Sequence, residues 1–98
     1  EREETYYQGE ADGIWYYYNS QGQKNRVEWY DQGDLIRYNV YIYDLLPNCP
    51  AQQVIVRAEI FNGQDQLQFY EEFHYGNNCE LNYRSRYNPQ GELMEQID

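Results

Sequence analysis

Basic residues are scarce in this chain. Seven lysines and arginines are scattered among seventeen aspartates and glutamates, giving a formal net charge of −10 and a pI near 4.3. A nucleic-acid surface needs clustered cations to neutralise phosphates, so nucleic acid is excluded as a partner. The same field repels anionic lipid and favours basic protein partners. Long apolar runs are also missing: none approaches the roughly 18 residues of a membrane-spanning helix. Histidine occurs once, at His74, in the stretch "EEFH". A zinc site needs several convergent ligands, and this imidazole has no cysteine pair near it. On a strand Glu72 and His74 share one face and Glu71 takes the other, which makes His74 a cross-strand partner on a wet face. No Gly-x-Ser-x-Gly, phosphate loop or His-Glu-x-x-His occurs, and Ser20 and Ser85 have no candidate base beside them. The acidic turn residues Glu10, Asp12, Asp31, Asp34 and Asp65 lack the ligand rhythm of a calcium loop and read as solvated turns. No catalytic residue, metal or cofactor is expected.

What is abundant is tyrosine: 13 of the 98 residues, with two tryptophans and three phenylalanines in an otherwise polar chain. Disordered segments are poor in aromatics, so the composition points to a folded sheet with both faces half-covered. One domain of this size buries about 65% of its unfolded surface, enough for a thin core without a large interior cavity. Helical spacing is nearly absent, and the clearest period is two. Ile36, Tyr38, Val40 and Ile42 alternate with Leu35, Arg37, Asn39, Tyr41 and Tyr43, while Val54, Val56, Ala58 and Ile60 share a face. Leu67, Phe69, Phe73 and Tyr75 do the same, with Glu71 as the exception; Cys79, Leu81, Tyr83 and Tyr87 lie opposite Glu80, Asn82, Arg84 and Arg86. This is the mark of strands with one packed face.

Glycine-containing polar turns recur at intervals on the order of ten residues, as in an all-β meander. The predicted strands are 5–8, 14–19, 24–30, 35–43, 52–61, 66–75 and 79–87, with a further short one over 92–97. Connections this short make neighbours antiparallel. Two turns are nearly identical, "YNSQGQ" from Tyr18 and "YNPQGE" from Tyr87. Each offers asparagine to open a type I turn and glycine to close it with positive φ, the chemistry of a hairpin with a bulge. Asp31-Gln32-Gly33-Asp34 is a shorter relative. The longest connection, Asp44 to Ala51, holds Pro47 and Pro50, which supply no ladder donors, so the sheet is expected to break or turn there. It divides a single domain into repeat-like hairpins (1–43) and longer hairpins (52–98).

The stretch from Tyr6 to Leu35 resembles the variant MORN repeats of bacterial toxin–antitoxin-associated, antitoxin-like proteins. Gly13-Ile14-Trp15-Tyr16-Tyr17-Tyr18, Gly22, Tyr30 and Gly33 carry the likeness, and Tyr87 to Leu93 resembles a lone turn of the same type. The resemblance implies a non-catalytic binding sheet built of hairpins. The chain from Val54 to Tyr75 lacks the Gly-x-Trp entry and has longer strands, which leaves the fold between a curled single sheet and a small sandwich or barrel.

Cys49 and Cys79 are either a disulfide or two buried thiols. In a meander two strand spacings of about 4.8 Å separate them, and the proline loop can close that gap. A bridge would place the protein outside the cytoplasm. The chain begins at Glu1 without methionine, as expected of a mature exported protein or of one domain of a longer chain. Trp15, Tyr17, Trp29, Tyr41, Tyr43 and Tyr70 are the candidate binding residues, because Trp and Tyr offer large rigid contact area with a polar tip. Cross-strand packing alone also explains aromatic enrichment. The composition and the resemblance together point to a protein-binding module for a basic partner. The alternatives are a carbohydrate or small-ligand site against Trp15, Trp29 and Tyr41, and a self-assembling β structure.

Overall fold

The computed structural model describes residues 13–98. They form seven strands: β1 (Gly13–Tyr18), β2 (Lys24–Asp31), β3 (Asp34–Leu46), β4 (Cys49–Asn62), β5 (Leu67–Tyr75), β6 (Leu81–Tyr87) and β7 (Leu93–Ile97). All seven lie in one antiparallel sheet in chain order, β1 to β7, without a helix. The meander is thus a single open sheet, not a closed barrel. The predicted strand over 5–8 lies outside the described residues, and the short strand predicted over 92–97 is β7.

By internal packing the chain divides into two units. One runs to Val40 and takes in Ile60–Leu67; the other holds Tyr41–Glu59 and Gln68–Asp98.

The turns repeat one design. At Asn19, Asn62 and Asn88 the side-chain Oδ1 accepts hydrogen bonds from the backbone N–H groups two and four residues on, at 2.9–3.1 Å. The asparagine Nδ2 then donates to the Gln or Glu four residues on: Gln23 at 2.9 Å, Gln66 at 2.9 Å and Glu92 at 2.7 Å. In each turn the fourth residue has positive φ, at Gly22 (79°), Asp65 (66°) and Gly91 (88°). The turn from Gly76 to Glu80 has the same backbone bonds, with Cys79 (φ 61°) in that place. The β2–β3 turn differs, because both central residues, Gln32 and Gly33, have positive φ, as a two-residue type I′ hairpin requires.

Four of the hairpins carry a bulge beside the turn, and a tyrosine marks each. The register shifts after Tyr17, Trp29, His74 and Arg86, so that Tyr18, Tyr30, Tyr75 and Tyr87 pair with Lys24, Leu35, Leu81 and Leu93. Asn25, Ile36, Asn82 and Met94 are the extra residues. A bulge adds local twist and resets the alternation of side chains on the bulged strand.

The expected corner over 44–51 is a tight turn instead. β3 runs to Leu46 and β4 starts at Cys49, leaving Pro47 and Asn48 between them. Pro50 is the exposed second residue of β4, close to a strand start, where a missing ladder donor is tolerated. Asn48 Nδ2 ties this turn down by donating to the carbonyls of Tyr75 and Gly76, both at 3.0 Å. Beside it Cys49, which is fully buried, is bridged to Cys79 with a Cα separation of 5.3 Å.

The core is thin, as the chain length predicts. Its buried apolar members are Tyr17, Val27, Tyr38, Cys49, Ala58 and Ile60, and it also buries Glu28, Glu71 and Ser85.

Candidate functional site

In the first unit the register sets one face of β1–β2–β3. Trp15 pairs with Glu28, Tyr17 with Arg26, Glu28 with Tyr38, and Arg26 with Val40. Tyr17, Tyr30 and Arg26 converge from this face on the buried Glu28 carboxylate. Its Oε1 accepts from the hydroxyls of Tyr17 (2.7 Å) and Tyr30 (2.9 Å), and its Oε2 from Arg26 Nε (2.6 Å). Burial by itself would raise the pKa of Glu28. The three hydrogen bonds and the Arg26 charge outweigh it, and the carboxyl is held below its ordinary value. Trp15 packs over Tyr17 and Tyr30 with centroids at 6.4 and 5.6 Å. Arg26 lies 4.0 Å over the ring of Tyr38, which stacks on Phe61 at 4.8 Å and donates its hydroxyl to Asp65 at 2.7 Å. Burial, and then the bond to Asp65, raise the Tyr38 pKa. The β4–β5 turn comes close enough to β3 that a Cβ at Gly63 would overlap the Leu35 carbonyl oxygen, which only glycine permits.

The second unit repeats the motif of a buried glutamate under arginines. Glu71 pairs with Arg86 and Phe73 with Arg84 across β5–β6. Arg86 donates to Glu71 Oε2 through Nη2 at 2.7 Å and Nε at 3.0 Å, and Arg84 Nη1 reaches Oε1 at 3.4 Å. The glutamate that broke the apolar alternation of β5 is therefore an ion-pair centre, and Arg84 and Arg86 share its face. On the other face Tyr70 stacks on Tyr87 at 5.2 Å, Arg57 caps Tyr70 at 3.9 Å, and His74 stacks on Tyr83 at 4.3 Å.

Of the candidate binding residues, Trp15 and Tyr17 share a face, with Tyr17 buried. Trp29 pairs with Ile14 and lies on the opposite face, under Arg37 at 4.3 Å, so Trp15 and Trp29 do not form one platform. Tyr41 and Tyr43 belong to the second unit, where burial and then the neighbouring Tyr41 raise the Tyr43 pKa, and burial and then Tyr43 raise that of Tyr75. Tyr75 donates its hydroxyl to the Ile55 carbonyl at 2.7 Å. Tyr70 sits in its own stack.

One expectation is corrected here. Ser85 does have a base beside it: its Oγ lies 3.2 Å from His74 Nε2, because β6 brings Ser85 opposite Glu72, two residues along β5 from the histidine. Ser85 is itself buried. Among the described residues no group of three or more His, Cys, Asp or Glu side chains is placed to hold a metal, and no helix is long and apolar enough to cross a membrane.

The cations were undervalued in the sequence. All six among the described residues are engaged within the chain. Lys24 lies 4.4 Å over Tyr16 and Arg37 over Trp29; Arg26 and Arg57 each join a tyrosine ring to Glu28 or Glu59; Arg84 and Arg86 serve Glu71. For Arg26 and Arg57 the available signal was a glutamate two residues on, in "RVE" and "RAE"; Arg84 and Arg86 carry no such local mark, because Glu71 lies on another strand. Exposed acids at Asp31, Asp34, Asp44 and Glu80 have no basic partner among the described residues.

No known family model, characterised protein or solved structure matches the chain.

Proposed function

We propose that this chain is a non-catalytic protein-binding module that presents an acidic, aromatic sheet surface to a basic protein partner. One observation carries the reading. Every described cation is engaged by the chain's own rings and carboxylates, while exposed carboxylates at the turns and strand ends stay unneutralised. With seventeen acids against seven bases the net field is acidic, and such fields steer and select cationic partners. The resemblance of the N-terminal hairpins to antitoxin-like MORN repeats fits a module that neutralises a basic protein. The Cys49–Cys79 bridge favours an oxidising, extracytoplasmic setting for it.

The test is affinity capture with the folded, oxidised protein, followed by a binding titration with the partner recovered. A basic partner whose affinity falls when Asp31 and Asp34 are changed to lysine supports the reading. A partner that is neutral or acidic, or indifferent to those changes, overturns it.

A further inference from the structure

The first unit contains a concavity that the protein-binding reading does not use. It measures about 770 Å³, within the size range of small-molecule sites, and lies at the end of the β1–β2 hairpin beside Arg26. Tyr17 and Val40 give it an apolar part; Tyr18, Ser20, Asn25 and Arg26 give it polar edges. Two features make it more than a surface hollow.

The first is the state of Arg26. Its guanidinium is fixed on two sides, by Tyr38 beneath it at 4.0 Å and by Glu28 Oε2 on Nε at 2.6 Å. Among the described residues its two terminal amino groups carry no hydrogen bond. An arginine held in this way offers its remaining N–H pair as a planar fork matched to a carboxylate, with little side-chain freedom left to lose on binding. The second is the bulge. Asn25 is the extra residue between the Tyr17–Arg26 and Tyr18–Lys24 pairs, so it stands outside the regular alternation next to Arg26. The side chains of Asn25 and Ser20 carry no hydrogen bond among the described residues, although both residues line the same concavity. Asn19, by contrast, is fully used by the turn.

We propose that this concavity binds a uronic-acid-type sugar, with the Arg26 fork taking the carboxylate. The Asn25 amide and the Ser20 hydroxyl supply donors and acceptors for ring hydroxyls. Tyr17 and Val40 take an apolar face of the pyranose. Arg26 and Glu28 together are neutral, so directed hydrogen bonds carry recognition and the affinity for a single sugar is about millimolar. The site stands independently of the protein-partner reading, since none of its residues is an exposed acid.

The experiment is an NMR titration of the ¹⁵N-labelled, oxidised protein with glucuronate, glucose and acetate in turn. Glucuronate shifts the backbone amides of residues 20–26 and the Arg26 Nε–H saturably; glucose and acetate bind at least about tenfold more weakly, each lacking one half of the recognition. Asn25→Asp, which touches neither Glu28 nor Tyr38, removes the glucuronate response by setting a carboxylate against the ligand's own. Arg26→Lys keeps the charge, loses the fork and weakens binding by about tenfold or more. No saturable shift in the unaltered protein overturns the proposal. Acetate binding as tightly as glucuronate overturns the sugar, and undiminished binding in Asn25→Asp overturns the location, even if Arg26→Lys fails to fold.

Discussion

The hydroxyl of Tyr17 donates to Glu28 Oε1 at 2.7 Å across the β1–β2 pair, and both residues are buried. A single sheet of this size has too little apolar area to wall off a core by itself. Tyrosine resolves the difficulty by covering the sheet with its ring and ending in a hydroxyl that satisfies a buried carboxylate. Glu28 collects two such hydroxyls and one guanidinium, and Glu71 collects two guanidiniums in the other unit.

Glu28 should make the first unit acid-labile. Its pKa is lowered in the folded protein, so its contribution is complete above the ordinary value of 4.5 and is lost as pH falls through the lower folded value. Glu28→Gln should cost about 2 kcal/mol at pH 7 and flatten the loss of stability below 4.5. Urea unfolding at several acidic pH values measures both. An unchanged acid dependence in the variant would contradict the assignment.

Tyr38, Tyr43 and Tyr75 give the opposite dependence at high pH. Burial raises each phenol above 10.0, so their contribution is complete below that value and disappears as pH rises through the folded values. Ultraviolet titration should show a late-ionising group of tyrosines, and Tyr38→Phe should remove one member of it.

The Cys49–Cys79 bridge closes a loop of sequence separation 30. Replacing both residues with serine should lower stability by about 3–4 kcal/mol on the chain-entropy model. Mass spectrometry after alkylation of the unfolded, unreduced protein should find no free thiol.

The turns make a backbone prediction. A Cβ at Gly22 meets nothing within 4 Å, so Gly22→Ala tests only the positive φ there and should cost about 1–2 kcal/mol. Gln32→Asn, at φ 52° in the type I′ turn, should gain about 0.5 kcal/mol. Thermal unfolding of the two variants should move in opposite directions.

Much of the fold was legible because its signals are local. Asparagine and glycine at fixed offsets set the turns at 19–23 and 88–92, and period-two alternation set the strands between. The errors have physical causes. Pro47 and Pro50 suggested a corner, but two residues suffice to turn when Asn48 can bond across to Tyr75 and Gly76. Asp65 and Cys79 hid two further copies of the same turn, since neither is the glycine that usually takes positive φ. The bulge at Asn82 moved Arg84 and Arg86 from the expected wet side to the face of Glu71. The site was harder to read. No periodic signal singled out Arg26 and Glu28, and only cross-strand register shows that they share a face with Tyr17, Tyr30 and Tyr38. The same register separates Trp15 from Trp29, which sequence proximity alone could not do.

The most direct test of the functional account is the salt dependence of binding to the captured partner. An acidic surface with its cations already engaged predicts affinity that falls steadily between about 0.05 and 0.5 M salt, carried mainly by a slower association rate. Affinity and association rate that stay constant across that range would contradict electrostatic recognition and, with it, the proposed role.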